Sequence, residues 1–209
     1  MIGEWKNQGM PRQTFRSTFT RILCGILWAI IAAVAIGLLA VPAVDVAPAL
    51  VIVGALGAAA LVTGILWSPS ISVDDDGVEV DNIALTYRVP WAALIHVDTR
   101  YSLQLHTPGR RIGVTAAPAP GATGSLRAAR AHRRSERVTA AGTRPGELPN
   151  TDSGRAAALV RDRWQTLRDA GRVEAGIADS VPVRVSARID NLLLLVAGAA
   201  GVLGAIVLG

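Results

Sequence analysis

Three long apolar blocks dominate the pattern of hydrophobic and polar positions along the chain. They cover residues 22–41, 47–67 and 191–209, and none of them contains a charged side chain. At a helical rise of about 1.5 Å per residue, twenty residues extend roughly 30 Å, the thickness of the hydrocarbon core of a bilayer. The pattern predicts three transmembrane helices, and the third block is barely long enough to span.

Two other interpretations of these blocks stay open. Two spans followed by a peripheral tail would account for the short third block. A cleaved signal peptide would account for the arginines before the first block, although that block exceeds the usual apolar core of about 7–15 residues. A buried soluble core is excluded, since a chain of 209 residues cannot enclose three such blocks. Cys24 lacks a lipoprotein signature and is predicted to be a packing residue.

Basic residues flank the apolar blocks unevenly. Four precede the first block, none lies in the connection to the second, and Arg184 and Arg188 precede the third. Lysine and arginine next to spans are retained in the cytoplasm. We therefore expect a multi-pass protein of the cell membrane, with its N-terminus and residues 68–189 in the cytoplasm and its C-terminus outside.

Small residues recur every four positions within the blocks. Such stripes let helix backbones approach closely in lipid, although a composition rich in Ala and Gly also produces them by chance. The stripes predict helix packing within the chain or between copies of it, so a homo-oligomer is possible. The candidate helix-packing residues are Gly25, Ala29, Ala33 and Gly37 in the first block and Ala197, Gly201 and Ala205 in the third.

From Ser70 onward the apolar residues alternate with polar ones, as in half-buried strands. Asp76-Gly77 between two alternating runs predicts a hairpin. A helix is expected at 155–170, with Asp152 or Ser153 as its cap. This pattern predicts an antiparallel β barrel capped by one α-helix. The six expected strands lie at 71–73, 78–80, 85–89, 94–99, 102–107 and 111–115.

Four local motifs of this region carry a family resemblance. They are the acidic-Gly hairpin at Asp76-Gly77, Val89-Pro90-Trp91, the run at 116–121, and Arg161–Trp164. Together they resemble the bacterial PH-like domain of small actinobacterial membrane proteins, over about residues 68–172. The resemblance implies a PH-like fold, a membrane location and usually no assigned biochemical function. Trp91 and Trp164 are expected to anchor the domain, with plain core packing the simpler interpretation of Trp91.

The predicted organisation has five parts. A cytoplasmic basic head at 1–21 precedes a transmembrane hairpin at 22–67. The PH-like domain at 68–172 carries an Arg-rich insertion at 117–151, which is too long and polar to pack. A linker at 173–190 leads to the C-terminal transmembrane helix at 191–209.

Composition and charge narrow the function classes. Hydrophobic residues make up 51% of the chain and charged residues 18%, with a net charge of +5, and the single cysteine excludes a disulfide scaffold. Arginines of the insertion are expected to contact anionic lipid headgroups or an acidic partner, unless the insertion is simply solvated. Nucleic acid is not expected, because no aromatic residues interleave with the arginines. The candidate contact residues are Arg127, Arg130, Arg133, Arg134 and Arg137.

No motif for catalysis or metal binding stands out. The acids at 74–76 lack the spacing of a calcium loop and predict a solvated hairpin tip. His96 and Asp98 share a strand face, but no nucleophile is recognisable beside them, and His106 has no metal-ligand spacing with His96. The chain lacks phosphate-loop, dinucleotide and hydrolase motifs. No enzyme, metal or cofactor is therefore expected.

These observations favour an integral membrane protein with a non-catalytic PH-like module at the cytoplasmic face. The module would bind a membrane or cytoplasmic protein, helped by anionic phospholipid. The alternative is a structural subunit of a larger membrane assembly, held together by the small-residue stripes.

Overall fold

A computed structural model describes residues 11–41, 46–99, 102–118, 151–174 and 176–209 of the chain. Eight strands and four α-helices lie in these ranges. The helices are α1 (Thr18–Ala40), α2 (Pro48–Val62), α3 (Asp152–Asp169) and α4 (Ile189–Leu208). The strands are β1 (Gln13–Phe15), β2 (Ser70–Val73), β3 (Gly77–Asp81), β4 (Leu85–Pro90), β5 (His96–Asp98), β6 (Ser102–Thr107), β7 (Arg110–Pro118) and β8 (Arg184–Ala187).

The three apolar blocks form α1, α2 and α4. By length and composition, these three helices could each cross a membrane, α2 together with the π-helical turn Thr63–Trp67 that extends it. Pro48 is the first residue of α2. A backbone N–H at this position would have no acceptor within the helix, so the lack of one in proline costs no hydrogen bond. Both α1 and α4 pack against α2, so α2 is the central helix of this layer.

The contact between α2 and α4 is made by glycines. A Cβ atom added to Gly57 would lie 2.6 Å from the carbonyl oxygen of Gly198, and one added to Gly198 would lie 2.8 Å from that of Gly57. The two backbones therefore touch without side chains between them. Van der Waals contact of this kind holds helices together where no water is present to drive burial.

A buried asparagine joins the helix layer to the domain. Asn191, 3% exposed, donates through Nδ2 to the carbonyl oxygens of Gly64 (3.1 Å) and Ile83 (2.7 Å). Gly64 belongs to the π-helical turn, in which Ser68 N bonds Thr63 O instead of a carbonyl four residues back. One side chain thus satisfies carbonyls of the turn that extends α2 and of the β3–β4 turn.

The domain consists of two antiparallel sheets and one helix. One sheet has the order β1-β2-β3-β4-β8 and the other the order β5-β6-β7. Alternating apolar residues of both sheets and one face of α3 form the core, so the two-residue period of the sequence is used as predicted. The fully buried core side chains include Ile71, Val78, Val80, Val89, Leu103, Leu105 and Val160.

The N-cap of α3 is Thr151 rather than Asp152 or Ser153, which were predicted. Its backbone is extended and its side chain accepts from Gly154 N. Asp152 instead accepts a hydrogen bond from the Ser17 hydroxyl, at the N-cap of α1. Gly171, with φ +67°, follows the last turn of the helix, close to the predicted end at residue 170.

Two strands of the large sheet lie outside the predicted ones. β1 falls in the predicted basic head and β8 in the predicted linker. Both are edge strands of three or four residues that pair through the backbone, and their side chains are mostly exposed. β1 is too short to show an apolar alternation, whereas Val183, Val185 and Ala187 do alternate with polar residues through β8, so the predicted linker contained a strand signal.

All three apolar helices join the large sheet at the same end. Phe15 of β1 pairs with Ile71, Ser70 of β2 pairs with Asp81, and Ala187 of β8 pairs with Leu85. Helices α1, α2 and α4 begin or end within three residues of these pairs, α2 through its π-helical extension. We call this end of the sheet the junction end, and the end with the β2–β3 turn at residues 74–76 the tip end.

Candidate functional site

The acidic turn at the tip end is organised by arginine and by backbone N–H groups. Asp74 accepts hydrogen bonds from the backbone N–H groups of Asp76 (3.0 Å) and Gly77 (3.1 Å) and from Arg88 Nη2 (2.8 Å). Burial alone would raise the pKa of the Asp74 carboxyl, but these hydrogen bonds and the charge of Arg88 outweigh it and lower that pKa below its ordinary value. These hydrogen bonds hold the turn in one conformation around the Asp74 carboxylate. We call this arrangement the carboxylate-centred cap.

Asp75 pairs with two arginines from the far part of the domain. Its carboxylate lies 2.5 Å from Arg163 Nη2 and 3.3 Å from Arg172 Nη1. Arg163 is only 7% exposed, so this pair fastens α3 to the β2–β3 turn. The expected solvated hairpin tip is correct only for Asp76, whose side chain is 91% exposed. The partners lie 88 and 97 residues along the chain, which no local pattern signals.

No metal site is found within the ranges that the structure describes. These residues contain no group of three or more histidine, cysteine, aspartate or glutamate side chains able to hold an ion. Arginines occupy the carboxylates of the tip end instead. The single cysteine, Cys24, is buried in α1 as a packing residue.

Trp91 is part of the core and also holds the tip end. The residue is 3% exposed, and Nε1 donates to the carbonyl oxygen of Asp74 at 3.0 Å. Pro90 fixes the chain before it, and a short 3₁₀ turn follows at Trp91–Ala93. The ring thus fills the space beneath the turn while its polar edge is satisfied.

Trp164 lines a groove beside the last turns of α3. The ring packs on the core with Arg168 5.3 Å from its centroid, and Nε1 is buried with no hydrogen-bond partner in the described part of the chain. The groove holds about 270 Å³ and is also bordered by Trp91 and Leu94. Ile95, 53% exposed, lies at its margin.

A row of basic side chains crosses the outer face of the small sheet. His96 of β5 pairs with His106 of β6, which pairs with Arg111 of β7. Cross-strand partners point to the same side of a sheet, and the two imidazole rings lie 5.7 Å apart. Arg110 precedes Arg111 at the start of β7. Arg110 itself pairs with the buried Thr107, so it alternates to the other face of the sheet. We call His96, His106 and Arg111 the histidine–arginine face. Strand alternation alone places His96 and Asp98 on one face, and no local pattern joins His106 or Arg111 to them.

Only some residues of the predicted small-residue stripes contact another helix. Gly201 faces α2, since a Cβ there would lie 3.2 Å from Val53 O, and a Cβ on Gly54 would lie 2.9 Å from the Ala205 Cβ. Ala197 is exposed. The contact glycines Gly57 and Gly198 lay outside the predicted stripes. The four residues of the α1 stripe are also exposed, namely Gly25, Ala29, Ala33 and Gly37.

The candidate headgroup residues Arg127, Arg130, Arg133, Arg134 and Arg137 lie outside the described residues. The described chain resumes at Thr151, next to the start of α1, because Asp152 bonds Ser17 there.

Comparison with known proteins identifies the domain. Residues 68–170 match the family model described as "Bacterial PH domain". The comparisons with curated proteins and with solved structures gave no match. The matched residues begin just after the π-helical turn and end with α3, so they cover the core of both sheets, and the strands β1 and β8 lie outside them. This agrees with the resemblance drawn from the sequence motifs, and the chain is a bacterial PH-like domain-containing protein.

Proposed function

We propose that this protein is an integral membrane protein that presents its PH-like domain at the cytoplasmic face as a non-catalytic module for binding a partner protein. PH domains are generally interaction modules rather than catalysts. The observation that carries the proposal is the joining of α1, α2 and α4 to one end of the large sheet. A domain attached at three points presents its tip end and small sheet in a fixed direction.

The junction end is tied by specific contacts as well as by chain connections. Arg188 donates to the carbonyl oxygens of Asn82 (2.9 Å) and Ser68 (3.4 Å), and Asn191 bonds Ile83. The Ser17–Asp152 hydrogen bond ties α3 to α1. These contacts support a rigid attachment, in which the orientation of the domain follows that of the helices.

The cytoplasmic orientation is supported by the distribution of basic residues. Arg12, Arg16 and Arg21 precede or begin α1, and Arg184 and Arg188 precede α4. Arg21 also lies over the Trp67 ring at 4.4 Å, an arrangement typical of a membrane–water interface. By the positive-inside rule, this end and the domain beyond it face the cytoplasm.

Anionic lipid is proposed as a secondary contact of this module. The five arginines between 127 and 137 are connected to Thr151, which lies beside the start of α1. Arginines held near the cytoplasmic surface each gain about 1 kcal/mol from anionic headgroups. We expect replacement of all five by Gln to weaken binding of the purified protein to phosphatidylglycerol vesicles, with no change for phosphatidylcholine vesicles. Equal binding before and after replacement would remove lipid from the proposal.

Cysteine accessibility in intact cells tests the orientation. In a Cys24→Ala background, one variant carries Gln165→Cys on the exposed side of α3 and another carries a cysteine added after Gly209. We expect a membrane-impermeant thiol reagent to label the added terminal cysteine in intact cells and Gln165→Cys only after lysis. Labelling of Gln165→Cys in intact cells would overturn the cytoplasmic module.

A structural subunit of a larger membrane assembly is the second candidate. It is favoured by the exposed stripe on α1, where a Cβ added at Gly25 or Gly37 meets nothing within 4 Å. A Gly25→Leu, Gly37→Leu double variant separates the two candidates. For a structural subunit, it abolishes co-purification of the assembly while deletion of the domain does not. For an interaction module, it leaves partner binding unchanged.

A further inference from the structure

The start of α4 connects the end of α2 to the β3–β4 turn. Asn191, 3% exposed, donates through Nδ2 to the carbonyl oxygens of Gly64 (3.1 Å) and Ile83 (2.7 Å). Arg188 bridges the same two segments and reaches the carbonyl oxygen of Asn82 at 2.9 Å. Each of these two side chains therefore holds one carbonyl at the end of the α2 extension and one carbonyl of the β3–β4 turn.

Asn82 continues this connection into the small sheet. Its Nδ2 donates to the carbonyl oxygen of Gly113 (2.8 Å), and its Oδ1 accepts from the backbone N–H of Thr115 (2.9 Å). Both partners lie on β7, an edge strand of the small sheet. Arg111 lies two residues before Gly113 on the same face of β7, so the histidine–arginine face is next to this contact. A series of hydrogen bonds thus runs from the α2–α4 helix pair to the small sheet.

The contact between α2 and α4 leaves room for movement. Gly57 and Gly198 meet through their backbones, and the ridges of side chains that normally fix how two helices cross are missing at this point. An open apolar groove of about 470 Å³ between α1 and α4 gives α4 space on one side. The turn Thr63–Trp67, whose Gly64 carbonyl Asn191 holds, is π-helical, a distortion often found at functional sites. Together these features permit the small sliding movements by which packed helices change their arrangement.

We propose that Asn191 and Arg188 couple the α2–α4 contact to β7 through Asn82. A displacement of α4 against α2 moves the β3–β4 turn, and this movement changes the position of β7 and of the histidine–arginine face. By linkage, a ligand that binds the small sheet alters the packing of the helices by the same free energy. This coupling goes beyond the presentation of a module, and it does not depend on the side of the membrane that the domain faces.

Hydrogen exchange of the Thr115 N–H, in the full chain reconstituted in phosphatidylcholine nanodiscs, tests this coupling. Asn82 accepts from this N–H, so its exchange rate reports the contact between the β3–β4 turn and β7 directly. Gly57→Leu displaces α4, and Gly25→Leu is the matched control, because a Cβ at Gly25 meets nothing within 4 Å. We expect Gly57→Leu to speed the exchange at Thr115 about threefold or more and Gly25→Leu to leave it unchanged.

Asn191→Leu shows whether the effect follows the proposed route. Leucine is similar in size to asparagine but cannot donate to the carbonyl oxygens of Gly64 and Ile83. If Asn191 has a structural role alone, Gly57→Leu speeds the exchange by the same factor with and without the asparagine. A coupling role predicts that Gly57→Leu has no further effect in the Asn191→Leu background. The β2–β3 hairpin near the tip end is the reference within the same molecule, and its exchange should not respond to Gly57→Leu.

Four results would overturn the proposal. They are unchanged exchange at Thr115 in Gly57→Leu, equal acceleration by Gly25→Leu, equal acceleration in the β2–β3 hairpin, which would mean a loss of global stability, and a full effect of Gly57→Leu in the Asn191→Leu background. Cysteine labelling tests the proposed function separately. Labelling of Gln165→Cys in intact cells removes the cytoplasmic module but not the coupling, whereas any of the four exchange results removes only the coupling.

Discussion

The domain and the helix layer are held together by opposite means. In the domain, large side chains such as Leu103 and Leu105 are fully buried between two sheets. In the helix layer, α2 and α4 meet through the backbones of Gly57 and Gly198, and many of their large side chains point outward. An open apolar groove of about 470 Å³ separates α1 from α4 on one side of α2.

The membrane location proposed for the helices accounts for this difference. In water, removal of apolar surface from solvent stabilises the fold by about 25 cal/mol per Å². Large apolar side chains therefore stabilise the domain most when they are buried in its core. Between apolar helices in lipid there is no such gain, and close backbone contact remains as the source of stability. A buried leucine therefore stabilises the domain, whereas a leucine placed between α2 and α4 would push the two helices apart.

The largest effect is expected for a cavity in the domain core. Leu105→Ala removes a fully buried side chain of β6 and should lower the free energy of unfolding by about 3 kcal/mol. Urea unfolding of the full chain in detergent, followed by tryptophan fluorescence, measures it. Leu85→Ala is the control, because Leu85 is exposed at the junction end. Similar losses for both variants would contradict a core centred between the two sheets.

The pair between α3 and the tip end should come next. Asp75→Ala leaves the buried Arg163 without this carboxylate, and we expect a loss of about 2 kcal/mol in the free energy of unfolding. Asp76→Ala removes the same charge from a side chain that is 91% exposed, and should change stability by less than about 0.5 kcal/mol. If the two variants lose the same amount, the acidic turn is an ordinary solvated tip.

A glycine comparison tests the helix layer. Gly57→Leu places a side chain where a Cβ already lies 2.9 Å from Val202 N, so α2 and α4 must separate at a cost of about 1–3 kcal/mol. The readout is disulfide formation between Gly54→Cys and Ala205→Cys in a Cys24→Ala background. We expect Gly57→Leu to abolish the cross-link and Gly25→Leu to leave it intact, since a Cβ at Gly25 has open space. Loss of the cross-link in both would mean that α1 also positions this pair.

The sequence predicted those features that depend on local periodicity. Blocks of uncharged residues gave the three apolar helices to within about four residues at each end, and alternation with Asp76-Gly77 gave the β2–β3 hairpin. The helix α3 was also predicted, because Val160 and Leu167 recur on one face. These signals arise because side chains a few residues apart are buried together. The resulting pattern is therefore visible within a single segment of the sequence.

Features that join distant stretches escaped prediction. β1 has only three residues and pairs through backbone groups, which are the same in every sequence, whereas Val183, Val185 and Ala187 alternate through β8 without indicating that its partner is β4. The Asp75–Arg163 pair and the row from His96 to Arg111 depend on strand order and register, which the period of one strand does not specify. Asn191 stood at the start of an apolar block, but nothing local connected it to Gly64 or Ile83.

The smallest effect, confined to the domain, concerns pH. Hydrogen bonds and the charge of Arg88 lower the pKa of Asp74 in the folded protein, despite the opposing effect of burial. A lowered folded pKa contributes stability that is present above the ordinary aspartate value of about 3.9 and is lost as the pH falls through the folded value. We expect wild type to exceed Asp74→Asn by about 1 kcal/mol in the free energy of unfolding at neutral pH. That difference should shrink below about pH 4, because Asp74 takes up its proton there while the amide of the variant cannot titrate.

The Gly54→Cys, Ala205→Cys cross-link should not change over the same range, since no ionisable side chain lies at the α2–α4 contact within the described residues. A stability difference that stays constant into acid would show that Asp74 acts through its shape alone, and the carboxylate-centred cap would be wrong.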